Sequence, residues 1–264
     1  MIPVSVVIIT KNEADFIVAC LKAAKMITND IVIVDNGSTD KTLQIAREYG
    51  CNVFENTWSG YGANKNKGIQ LAKYNWILSL DADEVPDMEL ILSLYNLTFD
   101  DPVVVYDIKY NSYFGKKLIR HGRWGRDHHI RLFNRQLVQW TEPKVHEKLI
   151  LPKNVRIQQL GGCLRHYSVK DENECHNKAI YYARLSAEGY FKAGKKASII
   201  NLYVSPVFGF LVDYILLLGM LDGKEGLEIA RSIYKNKKFK YQYLRELVSS
   251  DNRYSFNRTL ATDY

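Results

Sequence analysis

The sequence predicts an α/β fold, a mostly parallel central sheet flanked by helices, with a helical extension at its C-terminal end. Three observations carry this. Short β-branched apolar runs alternate with segments of helical spacing through the first hundred residues, the rhythm of parallel strands joined by right-handed crossovers. One such run, Trp76-Ile77-Leu78-Ser79-Leu80, stops abruptly in Asp81-Ala82-Asp83-Glu84. Acids at the carboxyl end of a core strand stand where α/β sheets hold ligands. From about Asp171 the strand pattern ends and helical segments take over.

The elements follow in order. Val4 to Ile9 is long enough for a buried parallel strand, and Phe16, Ile17, Leu21 and Ala24 then recur at helical spacing with Asn12 as the expected cap. Ile31 to Val34 is a second strand, ending in Asp35-Asn36-Gly37-Ser38-Thr39-Asp40 before a helix with Leu43, Ile45 and Ala46. Asp35, with Ser38 and Asp40, also suits a capping turn at that helix. Val53-Phe54 is a short strand, and a helix around Gly68 to Lys73 precedes the Trp76 strand. Val103 to Tyr110 is a further strand.

Composition sets the bounds. The chain has 264 residues, 47% hydrophobic and 25% charged, which describes a folded protein of one domain with a substantial extension. The expected division is residues 1–170, with a ligand half over 1–100 and a second half over 101–170, then the extension 171–264. The formal charge of +7 points to an anionic partner. Cys20, Cys51, Cys163 and Cys175 are scattered without C-x-x-C spacing, as expected of reduced thiols. No secretory signal pattern opens the chain, and a cytoplasmic location is expected.

The Asp81/Asp83 pair has a direct chemical reading. Where the chain turns after the strand, both carboxylates can converge on one divalent cation, or on a ribose and a cation, and oxygen ligands of this kind suit Mg²⁺ or Mn²⁺ together with substrate phosphates. The competing reading is an acidic turn facing water. No G-x-G-x-x-G follows the first strand, and no G-x-x-x-x-G-K-[ST] is present, which argues against dinucleotide and P-loop sites.

Four motifs in series now carry a resemblance: Val4 through Glu13, Val34-Asp35-Asn36-Gly37-Ser38-Thr39-Asp40, Lys65-Asn66-Lys67-Gly68-Ile69 and Leu80-Asp81-Ala82-Asp83-Glu84. Their order and spacing resemble glycosyltransferase family 2, inverting enzymes of the GT-A fold that use nucleotide-sugar donors. The resemblance implies that Thr10, Asn12 and Glu13 surround the nucleobase and that Asp35 hydrogen-bonds uracil. It places Lys65 near base and phosphates, and gives Asp81 and Asp83 the ribose and the metal-bound diphosphate. A carboxylate can accept from an imide N–H, and a divalent ion neutralises a departing diphosphate.

A basic stretch follows, containing Lys109, Lys116, Lys117, Arg120, Arg123, Arg126, Arg131 and Arg135 with His121, His128 and His129. Gly115, Gly122 and Gly125 give it the look of a loop. A solvated face is the plain reading. Anion recognition in an acceptor cleft is favoured, through Arg123, Arg126 and Arg131, because guanidinium forks suit phosphate and carboxylate. Nucleic acid is disfavoured because no binding motif accompanies the charge.

An inverting transferase needs a carboxylate to take the acceptor's proton. Glu147, after Val145-His146, sits about where family 2 carries that base, although many members have an acidic pair where this chain has His-Glu; Glu142 is the reserve candidate. His146 is assigned to the acceptor. His166, in Leu164-Arg165-His166-Tyr167, is expected to complete the metal shell or contact the diphosphate, against the alternative of a satisfied, partly buried imidazole.

Ile199 to Leu221 is apolar but broken by Pro206 and Asp213, too interrupted for a membrane span. It reads as an interfacial segment flanked by Lys195, Lys196, Lys224 and the Lys235–Lys240 cluster, or as a helix buried against the core. Val145-His146-Glu147, His166-Tyr167-Ser168, Gly219-Met220-Leu221-Asp222-Gly223 with Gly226, and Phe239-Lys240-Tyr241 resemble the lipopolysaccharide-core glucosyltransferases of family 2. Met220 stands where an aromatic is commoner. That subgroup implies UDP-glucose as donor, a lipid-linked or phosphorylated saccharide acceptor, and a peripheral position on an anionic membrane, the inner face of the bacterial inner membrane. The competing readings are a polyprenyl-phosphate sugar transferase, a non-catalytic lipid- or nucleic-acid-binding module, and a carboxylate-metal nuclease.

Overall fold

The computed structural model describes residues 1–142 and 147–261, with side chains through Ser250. The chain forms two compact units, residues 1–118 with 124–168, and residues 119–123 with 169–264. The short loop 119–123, expected with the acceptor half, clusters with the C-terminal unit.

The first unit is built on one sheet. Its strands are β1 (Val4–Thr10), β2 (Ile31–Asp35), β3 (Asn52–Glu55), β4 (Trp76–Asp81), β5 (Glu84–Pro86), β6 (Val104–Phe114), β7 (Lys117–Leu118), β8 (His128–Asn134) and β11 (Arg156–Val169). A separate ribbon pairs β9 (Gln139–Trp140) with β10 (Leu149–Ile150). The main order is β3-β2-β1-β4-β8-β6-β11-β5. The first four strands run parallel. Beyond β4 the pairings of β8 with β4 and with β6, and of β5 with β11, are antiparallel. The GT-A arrangement is this mixed sheet, parallel where α1 (Ile17–Ile27), α2 (Thr42–Glu48) and α3 (Tyr61–Leu71) cross over.

Alternation along β1 explains both cores. Val4, Val6 and Ile8 pack with Ile17, Leu21 and Ala24 of α1, while Val7 and Ile9 pack with Val32, Val34 and Ile69 on the opposite face. Burying each such aliphatic side chain contributes on the order of 1.5–3 kcal/mol. Gly68 sets the spacing of α3: a Cβ there would lie 2.4 Å from Val7 Cγ1 and 3.0 Å from Val34 Cγ2.

Local chemistry corrects several expectations. Asn12 does not cap α1; it takes a positive φ of 56°, and the cap position belongs to Phe16 without a side-chain bond. Helix α3 begins at Tyr61, earlier than expected, because Gly62, Asn64 and Lys65 hide its start from an apolar pattern. The basic stretch is mostly strand, β6, β7 and β8, with one short turn of helix at Trp124–Arg126. Helix α4 (Met88–Tyr95) is capped by Asp87, whose Oδ1 accepts from Leu90 N at 2.8 Å and Cys163 N at 3.1 Å. Burial works against the Asp87 carboxylate. Hydrogen bonds, foremost from the Cys163 thiol, nevertheless hold its pKa below the usual carboxylate value.

The second unit is helical. It contains α5 (Glu172–Lys192), α6 (Ser205–Leu211) and the long α7 (Gly223–Ala261), with α6 flanked by π-helical turns at Ile200–Val204 and Val212–Leu216. Among the described residues no single helix is long and apolar enough to cross a membrane. Ile200–Leu216 and Gly219–Ser250, bent by 72°, pass that test only together.

Candidate active site

Register brings the predicted acids to one edge of the sheet. Thr10 pairs with Asp35, and Ile9 with Asp81, so the carboxyl ends of β1, β2 and β4 deliver Thr10, Asp35 and Asp81 side by side. The loops beyond β1 and β2 are laced together. Asn12 N donates to Ser38 Oγ at 2.9 Å, Thr39 N to Asn12 Oδ1 at 2.8 Å, and Glu13 N to Thr42 Oγ1 at 2.9 Å. Asp35 is fully buried; its Oδ2 accepts from Gly37 N and Ser38 N at 2.9 and 2.8 Å, and its Oδ1 from the Ser38 hydroxyl. The Asp35 carboxylate therefore builds the turn itself. Beside it, Thr10 Oγ1 and Asn36 Oδ1 are buried without hydrogen-bond partners, polar atoms of the kind a nucleobase satisfies.

The chain turns sharply at Ala82-Asp83, which separates the two carboxylates of the D-x-D. Asp81 meets two cations: Lys65 Nζ lies 3.4 Å from its Oδ1 and the Arg131 guanidinium 3.1 Å from its Oδ2. Burial would raise the Asp81 pKa, but Lys65 and then Arg131 hold it well below the ordinary carboxylate range. Asp83 turns instead to β11, where its Oδ2 lies 3.5 Å from His166 Nε2. His166 Nδ1 sits 3.0 Å from Ser168 Oγ, which fixes the ring. Burial opposes the charged imidazole, yet Asp83 beside it pushes the His166 pKa up to about 9. The antiparallel pairing of β5 with β11, His166 opposite Glu84, brings these residues together across a long stretch of sequence.

Lys65 joins the two sides of the site. Its ammonium is 3.1 Å from Glu147 Oε1 and 4.7 Å from the Trp140 ring centroid, and the residue is almost wholly buried. Helix α3 can lie this close to the segment around residue 141 because residue 62 is glycine. A Cβ there would fall 1.9 Å from Thr141 O and 3.2 Å from Glu147 Cβ. Four residues on, Asn66 holds Trp140 through both of its amide atoms and donates to Glu142 Oε1 at 3.1 Å. Glu147, not the reserve Glu142, shares a cation with the D-x-D.

Arg131 is the main correction. Expected on an anion-binding surface, it is buried on β8, with Nη2 2.5 Å from Glu84 Oε1 and Nε donating to the Tyr110 hydroxyl. The guanidinium is engaged by Glu84, Asp81 and Tyr110, and the residue is 6% exposed. Glu84 and Tyr110 are the members that sequence reasoning missed. Arg126 is exposed in the same unit, Arg123 belongs to the second unit, and His146 lies outside the described residues.

For a divalent ion, no group of three or more His, Cys, Asp or Glu side chains forms a cage among the described residues. Asp83 with His166 is an open two-donor set. The Asp83 carboxylate fits Mg²⁺ or Mn²⁺, ions commonly held by one or two carboxylates and completed by water and phosphate oxygens, and His166 could join it once its proton is displaced.

A mixed sheet, parallel where its helices cross over and with carboxylates at its strand ends, is the GT-A class of fold. The Glycosyl transferase family 2 model matches residues 5–154, and the chain belongs to that family. It is 30% identical to an uncharacterized glycosyltransferase of Rickettsia typhi over 94% of this chain and 91% of that one. It is 27% identical to the lipopolysaccharide core biosynthesis glycosyltransferase LpsC of Rhizobium meliloti over 81% of each. Among solved structures, residues 1–349 of S. aureus TarS align at a TM-score of 0.46 and 15% identity, over 94% of this chain and 91% of that one.

Proposed function

We propose that the protein is an inverting hexosyltransferase that moves glucose from UDP-glucose to a hydroxyl of a lipid-linked or lipopolysaccharide-core acceptor. The observation that carries this reading is Lys65, one buried ammonium within 3.4 Å of Asp81 and 3.1 Å of Glu147. It couples a nucleotide-side carboxylate to an acceptor-side carboxylate. The similarity to LpsC supports the acceptor class.

In this reading Thr10, Asn12, Glu13 and Asp35 surround the uracil and Asp81 receives the ribose. Asp83 and His166 would hold Mg²⁺ or Mn²⁺, which supplies charge neutralisation for the departing diphosphate. Lys65 binds the same developing charge from the protein side, and its movement toward phosphate would release Glu147 to accept the acceptor's hydroxyl proton. The nucleophile then attacks C1 opposite the leaving group in one displacement. Arg126 and His146 fall to the acceptor. The enzyme works on the cytoplasmic face of the bacterial inner membrane, held there peripherally.

One observation favours a second reading. Glu147 is already held by the Lys65 ammonium at 3.1 Å, and a polyprenyl phosphate, already ionised, needs no base. Turnover of Glu147→Gln separates the two. Loss of about a hundredfold or more in kcat with unchanged UDP affinity supports the hydroxyl acceptor, whereas near-normal turnover on polyprenyl phosphate supports the second.

A further inference from the structure

The second unit carries a surface that the transferase site does not explain. Through Ile199–Leu221 two faces separate cleanly. Leu202, Pro206, Gly209 and Asp213 are buried, at the three- and four-residue spacing of one helical side. Ile200, Tyr203, Phe208, Leu211, Ile215 and Leu216 are exposed on the other, Phe208 by 61% and Leu216 by 68%. Between Lys196 and Asp222 the only charged residue is Asp213, and it is buried. An exposed face this apolar and free of charge is unusual for a protein surface in water.

The Gly219-Met220-Leu221-Asp222-Gly223 motif explains what frames this face. Asp222 accepts from His121 N at 2.8 Å and from Arg120 N at 3.2 Å, while Asp213 accepts from Arg123 N at 2.8 Å. Gly122 N donates to Leu217 O at 2.9 Å. Gly122 takes a φ of +66°, and a Cβ there would lie 3.0 Å from Asp213 Oδ2, so a side chain here would be strained and would crowd that carboxylate. Two buried carboxylates thus clamp residues 119–123 at the C-terminal end of the apolar segment, with the Arg120 and Arg123 side chains exposed. Lys195 and Lys196 are exposed at its N-terminal end.

The Lys235–Lys240 cluster, expected to be the cationic contact, makes contacts within the unit, as Lys195 also does over the Tyr190 ring at 4.3 Å. Lys235 Nζ is 2.5 Å from His176 Nδ1, and Lys240 stacks over Tyr190 and Tyr241 at 4.9 and 4.7 Å. The Lys237 stem crosses Gly209, whose Cβ would lie 2.8 Å from its Cδ.

We propose that the face of Ile199–Leu221, framed by Arg120 and Arg123 at one end and Lys195 and Lys196 at the other, docks on a bilayer with anionic headgroups. The apolar side chains enter the interface and the clamped arginines select the charge. Rim cations around a charge-free apolar face complement an anionic bilayer, which presents phosphate above hydrocarbon. This deepens the peripheral-membrane part of the proposed function and rests on it.

Co-sedimentation of the full chain with phosphatidylcholine vesicles, and with the same vesicles containing phosphatidylglycerol, tests the assignment. Phe208→Ser with Leu216→Ser should abolish binding to both. Arg120→Gln with Arg123→Gln should reduce binding to the anionic vesicles about thirty-fold and leave the neutral ones unchanged. Lys235→Gln with Lys238→Gln should bind as wild type. Thermal melts report whether each variant is folded; if an arginine variant fails, Lys195→Gln with Lys196→Gln takes its place with the same expectation. Wild type that ignores both vesicles, apolar variants that bind normally, or release by the Lys235/Lys238 pair would each overturn the proposal. Resistance of the bound protein to alkaline carbonate would also overturn it, in favour of a span. UDP affinity is measured without vesicles, so its absence would contradict the transferase reading alone.

Discussion

Lys65 Nζ stands 3.1 Å from Glu147 Oε1, an ion pair between residues 82 positions apart that joins helix α3 to the segment before β10. The same ammonium is 3.4 Å from Asp81. Replacing it by Met leaves two carboxylates facing one another without their common cation. Lys65→Met should lower stability by about 1–3 kcal/mol, less than a fully buried pair would lose because Arg131 still neutralises Asp81. It should also raise the Kd for UDP. Urea unfolding and UDP titration check both; unchanged values in each would remove the bridging role.

Arg131 is predicted to be more costly. Arg131→Met strands Glu84, which is 1% exposed, and should destabilise by about 3–5 kcal/mol. Adding Glu84→Gln should restore part of that loss, since the second change removes the unpaired charge. A double variant no more stable than the single one would argue that Arg131 acts through packing alone.

The Asp87 cap gives a pH signature. Its folded pKa is lowered, so its contribution is present above the unfolded value near pH 4 and disappears as pH falls through the folded value. Asp87→Asn should therefore cost about 0.3–1 kcal/mol at neutral pH, and that deficit should shrink as pH falls below the ordinary aspartate value. A deficit that stays constant from neutral pH to pH 3 would show that ionisation of Asp87 is irrelevant.

Gly162 makes a structural prediction. At φ +84° its Cβ would fall 2.1 Å from Leu90 N, against the first turn of α4. Gly162→Ala should disrupt the seat of β11 against α4 and depress the melting temperature strongly, whereas an alanine at Gly189, with open space around it, should do little. Equal melting temperatures would contradict the packing described here.

Much of this was legible in the residues, and the reasons are physical. Parallel strands are buried on both faces, so β1, β2 and β4 announce themselves as apolar runs, and the acids at their ends stand out. Arg131 was misread because its partners Glu84 and Asp81 lie 47 and 50 positions away and its neighbours are basic. Nothing local distinguishes an arginine beneath a site from one on a surface. The three residues of β5 are too few to show a period, so the resemblance grouped His166 with the D-x-D while the β5–β11 pairing that brings them together left no local signal. The lysines of α7 read as cations flanking an interfacial segment, yet Lys235 meets a histidine and Lys240 lies over tyrosine rings.

The central claim is that this chain binds a UDP-sugar through an acidic strand end with a divalent ion. Calorimetric titration of UDP-glucose into wild type, Asp83→Asn and Glu147→Gln, each with and without Mn²⁺, tests it most directly. The account predicts Mn²⁺-dependent binding by wild type, retained in Glu147→Gln and lost in Asp83→Asn. Wild type that ignores UDP-glucose, or an affinity that is the same without Mn²⁺ and in Asp83→Asn, would contradict it.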